Sequence, residues 1–133
     1  MKMNFIKLVL VVFLIGLFSR CENKIETNSN ILLGYNEIYS SDSGFTMQID
    51  SVLNDSRCPT GYECIWAGNA EIRFKYISTG NMEFLFNLNT NLIPSDTLIE
   101  EYRITMIKLS PYPKADELIE QKDYIVELSI IKE

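Results

Sequence analysis

From Ile31 to the C-terminus, apolar and polar residues alternate with a period of two. Phe45, Met47 and Ile49 alternate with Thr46, Gln48 and Asp50, and Ile72, Phe74 and Tyr76 alternate with Glu71, Arg73 and Lys75. In an extended chain successive side chains point to opposite faces, so this is the pattern of strands with one face in a core and one in water. Met82, Phe84, Phe86 and Leu88 continue it beyond Ser78-Thr79-Gly80-Asn81, a hairpin-turn composition. Tyr102, Ile104 and Met106 form another set, and Tyr124, Val126, Leu128 and Ile130 close the chain with Glu127 and Ser129 facing out. With Ile31–Tyr39 as the first strand, the pattern predicts six strands, or seven if Glu63–Ala67 also pairs. Ala115–Gln121 is the helical candidate, and it is too short to hold by itself. The predicted fold is all-β: an immunoglobulin-like antiparallel β-sandwich over residues 31–133, with a small β-barrel as the alternative.

The N-terminus breaks the alternation. Two lysines in Met1–Lys7 precede Leu8–Phe18, an apolar run of eleven residues that ends at Ser19-Arg20-Cys21. A basic start with a short apolar stretch is the pattern of an export signal. Eleven helical residues reach only about 16 Å, against roughly 30 Å of hydrocarbon, so the run is too short for a stable membrane span. Cys21 stands where a bacterial lipobox places its lipid-modified cysteine, although Arg20 replaces the usual small residue before it. The organisation expected is a signal peptide at 1–20, a lipid-anchored polar tether at 21–30 and one domain at 31–133. The anchor on Cys21 makes a membrane the first partner expected. The expected location is the bacterial cell envelope, the outer membrane in particular, on its periplasmic or its surface face.

Composition narrows the chemistry. Twelve basic residues stand against eighteen acidic ones, and histidine is missing. Cleavage before Cys21 removes Lys2, Lys7 and Arg20, taking the net charge from −6 to −9. Phosphate backbones are held by clustered Lys and Arg, so nucleic acid is not an expected partner. Without histidine there is no Ser-His-Asp or Cys-His hydrolase and no His-ligated zinc.

The densest segment runs from Asp55-Ser56-Arg57-Cys58-Pro59 to Cys64-Ile65-Trp66-Ala67-Gly68. Five residues, including the turn formers Pro59 and Gly61, separate Cys58 from Cys64. With Cys21 lipidated, these two remain as an even pair. In an oxidising compartment they read as a disulfide that pins the loop, worth about 2.4 kcal/mol in the chain-entropy account. The competing readings are a soft ion such as Cu(I), with a methionine as third ligand, and a redox dithiol. Met47, Met82 and Met106 all fall on inward positions of the strand pattern, however, so no metal or other cofactor is expected.

Trp66 has two readings: a core ring packed against the disulfide, or an exposed platform for a sugar or a partner's apolar side chain. Asp55 and Arg57 read as a pair that fixes loop shape. Tyr112, stiffened between Pro111 and Pro113, reads as a rigid aromatic contact or a corner of the sandwich. The acidic clusters Asp96, Glu100, Glu101 and Asp116, Glu117, Glu120 lack calcium-loop spacing and read as solvated faces.

This segment, with Leu109-Ser110-Pro111-Tyr112-Pro113 and the strand-opening Tyr124, resembles a family of small exported bacterial β-sandwich proteins, many of them lipoproteins. The resemblance covers about Ile31 to the C-terminus. It implies the domain and the exported setting, and carries no assigned biochemical activity.

The expected function is a non-enzymatic envelope lipoprotein that acts as a binding module for an envelope protein or glycan, with a candidate interaction loop of Arg57, Tyr62, Trp66 and Tyr112. A loop-based protease inhibitor and a structural subunit of an envelope complex are the alternatives. No carboxylate pair stands out for glycoside chemistry, so no catalytic residue is assigned.

Overall fold

The computed structural model describes residues 28–133. The expected signal peptide, Cys21 with its lipid and the tether as far as Thr27 lie outside the described residues. Among the described residues eight strands form: β1 (Asn28–Gly34), β2 (Ile38–Ser40), β3 (Thr46–Asp55), β4 (Ala70–Ile77), β5 (Glu83–Asn89), β6 (Asp96–Ile99), β7 (Tyr102–Ser110) and β8 (Ile125–Lys132). They make two four-stranded sheets, ordered β1-β8-β7-β6 and β2-β3-β4-β5, with every pairing antiparallel. The sheets face one another and do not close into a barrel, so the fold is a β-sandwich. The likeness to an immunoglobulin domain is one of size and two-layer packing, since each sheet here is mostly a run of chain neighbours.

The alternation produces the core. β4 buries every second residue, so that Ala70, Ile72, Phe74 and Tyr76 meet Leu33, Ile104, Leu128 and Ile130 of the facing sheet in one buried cluster. Burial of such side chains contributes roughly 1.5–3 kcal/mol each, against the entropy of ordering the chain. Tyr124, Val126, Leu128 and Ile130 are buried as their spacing predicts, and Asn81 closes the 78–82 turn at a positive φ.

Six local points differ from the expectations. The stretch Ile31–Tyr39 is two strands in different sheets, because the chain turns at Tyr35–Glu37, where the Glu37 carboxylate accepts the Gly34 amide at 2.9 Å. β1 begins at Asn28, so Asn28–Asn30 pair with β8 instead of continuing the tether. Glu63–Ala67 forms no strand, and Ala115–Gln121 forms no helix; a single 3-10 turn follows at Gln121–Asp123. β6, too short for a readable period, was not expected, and Met82 is exposed because it precedes β5 instead of lying within it.

Candidate functional site: the loop end of the sandwich

The strand registers define two ends. One carries the β3–β4, β5–β6 and β7–β8 loops, with the β1–β2 turn beside them; the other carries the short turns 41–45, 78–82 and 100–101 together with Asn28 and the C-terminus. All the candidate residues of the domain lie at the first end.

Two bulges in β3, between Ile49 and Ser51 and between Val52 and Asn54, change which residues face inward. The inward set passes from Met47 and Ile49 to Val52, and then to Asp55 opposite buried Ala70. Arg57 follows Asp55 inward, its side chain only 3% exposed. Its guanidinium forks onto Asp55, with Nε–Oδ1 at 2.8 Å and Nη2–Oδ2 at 2.6 Å. It also donates to the carbonyl oxygens of Leu109 at 2.7 Å and Pro111 at 2.9 Å, tying the end of β7 to the β3–β4 loop. The Tyr124 hydroxyl donates to Asp55 Oδ2 at 3.0 Å, and the Tyr112 ring lies over the guanidinium at 5.2 Å.

Burial would raise the Asp55 carboxyl, but the hydrogen bonds and charge of Arg57, with the Tyr124 hydroxyl, outweigh it and hold the group below its ordinary 3.8. Burial, and then the hydrogen bond to Asp55 and its charge, push the Tyr124 phenol up to about 12. The carboxylate and the guanidinium are both occupied by one another and by backbone, so this pair holds shape. Arg57 is therefore corrected from a surface contact to a buried clip: its charge is tolerated inside because its partners are there with it.

Two further clips were not foreseen. The Gln121 side-chain amide exchanges two hydrogen bonds with the backbone of Val52, at 2.8 and 2.9 Å, so the β7–β8 loop is pinned onto a β3 bulge. Buried Asn69 donates to Asn89 Oδ1 at 2.8 Å and accepts from the Asn91 amide at 3.0 Å, while Asn91 donates to the Gly68 carbonyl at 2.6 Å; this fixes the β5–β6 loop. The recurring asparagines at 87, 89 and 91 are the one sequence signal that could have flagged it. Gly68 stands at φ +73°, where an added Cβ would lie 1.9 Å from the Ser56 carbonyl oxygen. The glycine lets the two arms of the β3–β4 loop touch, with Ser56 bonded to Asn69 and Cys58 to Ala67. Every buried side-chain polar atom among the described residues has a partner.

On this frame the β3–β4 loop carries the Cys58–Cys64 disulfide, the expected pairing, and with both sulfurs so joined neither is a free thiolate for a soft ion. Trp66 is 61% exposed, so it is not packed in the core against the disulfide; of its two readings the structure has the exposed one. Tyr62, Ile65, Leu92, Ile93 and Tyr112 are exposed on the same end. Most residues of the acidic clusters have partners: Asp96 with Arg103, Glu100 with the Tyr76 hydroxyl and Glu101 with Lys132, and, within the β7–β8 connection itself, Glu117 with Lys114 and Glu120 with Lys122.

Fold and loop end together define a two-sheet sandwich whose one end is clipped, disulfide-pinned and apolar at its tips. Comparisons of the chain with protein-family models, curated proteins and solved structures returned no match.

Proposed function

We propose that the protein is a non-enzymatic envelope lipoprotein, anchored through Cys21, whose loop end is its binding surface. The observation that carries this reading is the exposure of Tyr62, Ile65, Trp66 and Ile93 on loops whose supports are fixed by buried polar contacts. Apolar side chains carried on backbone already held in place add little loop-ordering cost to binding, which is what a contact surface needs.

Direction supports it as well. Asn28, where the domain joins the preceding chain, lies at the opposite end. The ten residues of β3 at about 3.3 Å each put roughly 30 Å between the two ends. An anchor before Asn28 would thus present the loops away from its membrane. Glu63 on the β3–β4 loop and Asp116, Glu117, Glu120 and Asp123 on the β7–β8 connection outnumber Lys114 and Lys122, so the loop end is net acidic, which favours a partner with an apolar cleft and a basic rim. Three loops side by side also suit insertion into a protease cleft, and a panel of cysteine and serine proteases tests that version.

The main experiment is crosslinked isolation of the full-length protein from its native envelope, beside Cys21→Ser, Trp66→Ala and Ile65→Asp variants. The reading expects a dominant partner lost from both loop variants while their fold is kept. An unchanged set of crosslinked proteins in all variants would overturn it.

A further inference from the structure

A sandwich that does not close leaves four strand edges, and this molecule treats them differently. β2 has three residues and β6 four, lengths that offer little template, and Asp96, Arg103 and Glu133 set charges beside β6. β1 is polar over Asn28-Ser29-Asn30 and ends in Gly34. β5 keeps its polar residues, Glu83, Asn87 and Asn89, to its ends and centres on the apolar run Phe84-Leu85-Phe86. Glu83–Asn89 is seven residues long, contains no lysine or proline, and pairs with β4 in unbroken register.

The hydrogen bonds at its end set its phase. The Thr90 amide donates to Ala70 on β4, whereas the Asn89 amide turns away to Pro94. Backbone groups alternate sides along a strand, so Glu83, Leu85 and Asn87 direct their N–H and C=O groups outward. No other backbone hydrogen bond among the described residues takes them up. Leu85 is 56% exposed on the outer face, and Phe84 and Phe86 are only half-buried, against Tyr76 and Phe74. A shallow groove of about 570 Å³ opens beside them, lined by Arg73, Leu85, Phe86, Asn87, Pro94 and Thr97.

We propose that β5 pairs antiparallel with β5 of a second copy about a two-fold axis at Leu85, joining two four-stranded sheets into one of eight strands. This register places Leu85 opposite its own equivalent, Phe84 opposite the second copy's Phe86, and Glu83 opposite the second copy's Asn87. All three outward-facing residues then exchange backbone hydrogen bonds, and the half-buried aromatics gain aromatic cross-strand neighbours. Charge permits the same occupant. In a chain of net charge −6, no two acids face each other across this edge, and Glu83 meets an amide while Lys75 holds its carboxylate at 3.5 Å. Shifting the axis to Phe86 sets Leu85 against Asn87 and Glu83 against Asn89, whose amide is already committed to Pro94. The strand is self-complementary at Leu85, as a closed two-fold interface requires. It lies on the side of the sandwich opposite β1, so the chain that precedes Asn28 joins away from it.

The test is the mass of the full-length protein in detergent, by sedimentation, for wild type and Leu85→Lys, together with oxidative crosslinking of Leu85→Cys in a Cys21→Ser background. The proposal expects a wild-type dimer and a monomeric Leu85→Lys, in which two lysines would face each other. It also expects a disulfide-linked dimer from Leu85→Cys that Ile38→Cys on the β2 edge does not give. A monomeric wild type, a Leu85→Lys protein that remains dimeric, or failure of Leu85→Cys to crosslink each overturns it. Circular dichroism confirms that Leu85→Lys is folded, and the cysteine variant decides independently if it is not.

Discussion

The two ends of the sandwich solve the same problem in opposite ways. At the end bearing Asn28 and the C-terminus, the core runs out to the turns: the ring of Phe45 stacks on Tyr76 at 4.8 Å and tilts against Tyr102 at 4.7 Å, and the connections are short. Charges there stay outside, as in the Arg103–Asp96 pair, where both side chains are about 40% exposed. At the loop end long connections must be ordered with little apolar burial, and the chain orders them by burying polar groups: Arg57 on Asp55, Asn69 on Asn89, Gln121 on Val52. Apolar side chains are thereby released to the surface instead of being used as packing. A buried polar network supplies shape where a core would consume the binding residues.

That contrast can be broken most strongly at Arg57. Arg57→Ala strips the buried Asp55 carboxylate of its counter-ion, leaving it the Tyr124 hydroxyl and the residue-57 amide, and takes the guanidinium donor from two carbonyl oxygens, an expected loss of about 3–5 kcal/mol in urea unfolding. Arg103→Ala at the other end is expected to leave the midpoint nearly unchanged. Equal effects at the two positions would remove the distinction. Gly68→Ala follows, with a loss of about 3–5 kcal/mol, since it combines a positive φ with a clash against the Ser56 carbonyl. Gly61→Ala, at φ +94° with nothing within 4 Å, is expected to cost only about 1–2 kcal/mol, and thermal melts compare the two. Replacing Cys58 and Cys64 together by serine should lower stability by about 2.4 kcal/mol and keep the β-sheet circular dichroism.

The smallest effects are those of pH. The lowered Asp55 group stabilises the fold above its unfolded value of 3.8, and this contribution disappears as pH falls through the still lower folded value. The raised Tyr124 phenol contributes below its unfolded value of 10, and its contribution is lost between there and about 12. Tyr124→Phe should therefore flatten the alkaline limb of the stability profile; an unaltered limb would mean that the Tyr124–Asp55 contact is not formed in solution.

How much of this was readable in the chain follows from where periodicity acts. β4, β7 and β8 each have one face in the core, so their alternation was visible. β2 and β6 are three and four residues long and show no period, and the Tyr35–Glu37 turn hid the change of sheet. At the loop end the motif was conspicuous but its roles were not. The burial of Arg57 depends on two β3 bulges and on carbonyl groups more than fifty residues away, neither of which leaves a mark in local sequence. Trp66 lies in a loop, where burial obeys no period. The Asn69 and Gln121 clips went unread because a lone amide looks the same whether it is buried or solvated.

Hydrogen exchange of the backbone amides in the β3–β4 loop tests most directly whether the loop end is held stiff while exposing apolar tips. The account predicts that the amides of Cys58 and Thr60, bonded to Ala67 and Pro113, are protected to nearly the level of the β3–β4 ladder, and that Arg57→Lys, which keeps the charge and loses the fork, releases them selectively. Exchange at the rate of an open loop in the wild-type protein, or no response to Arg57→Lys, would contradict it.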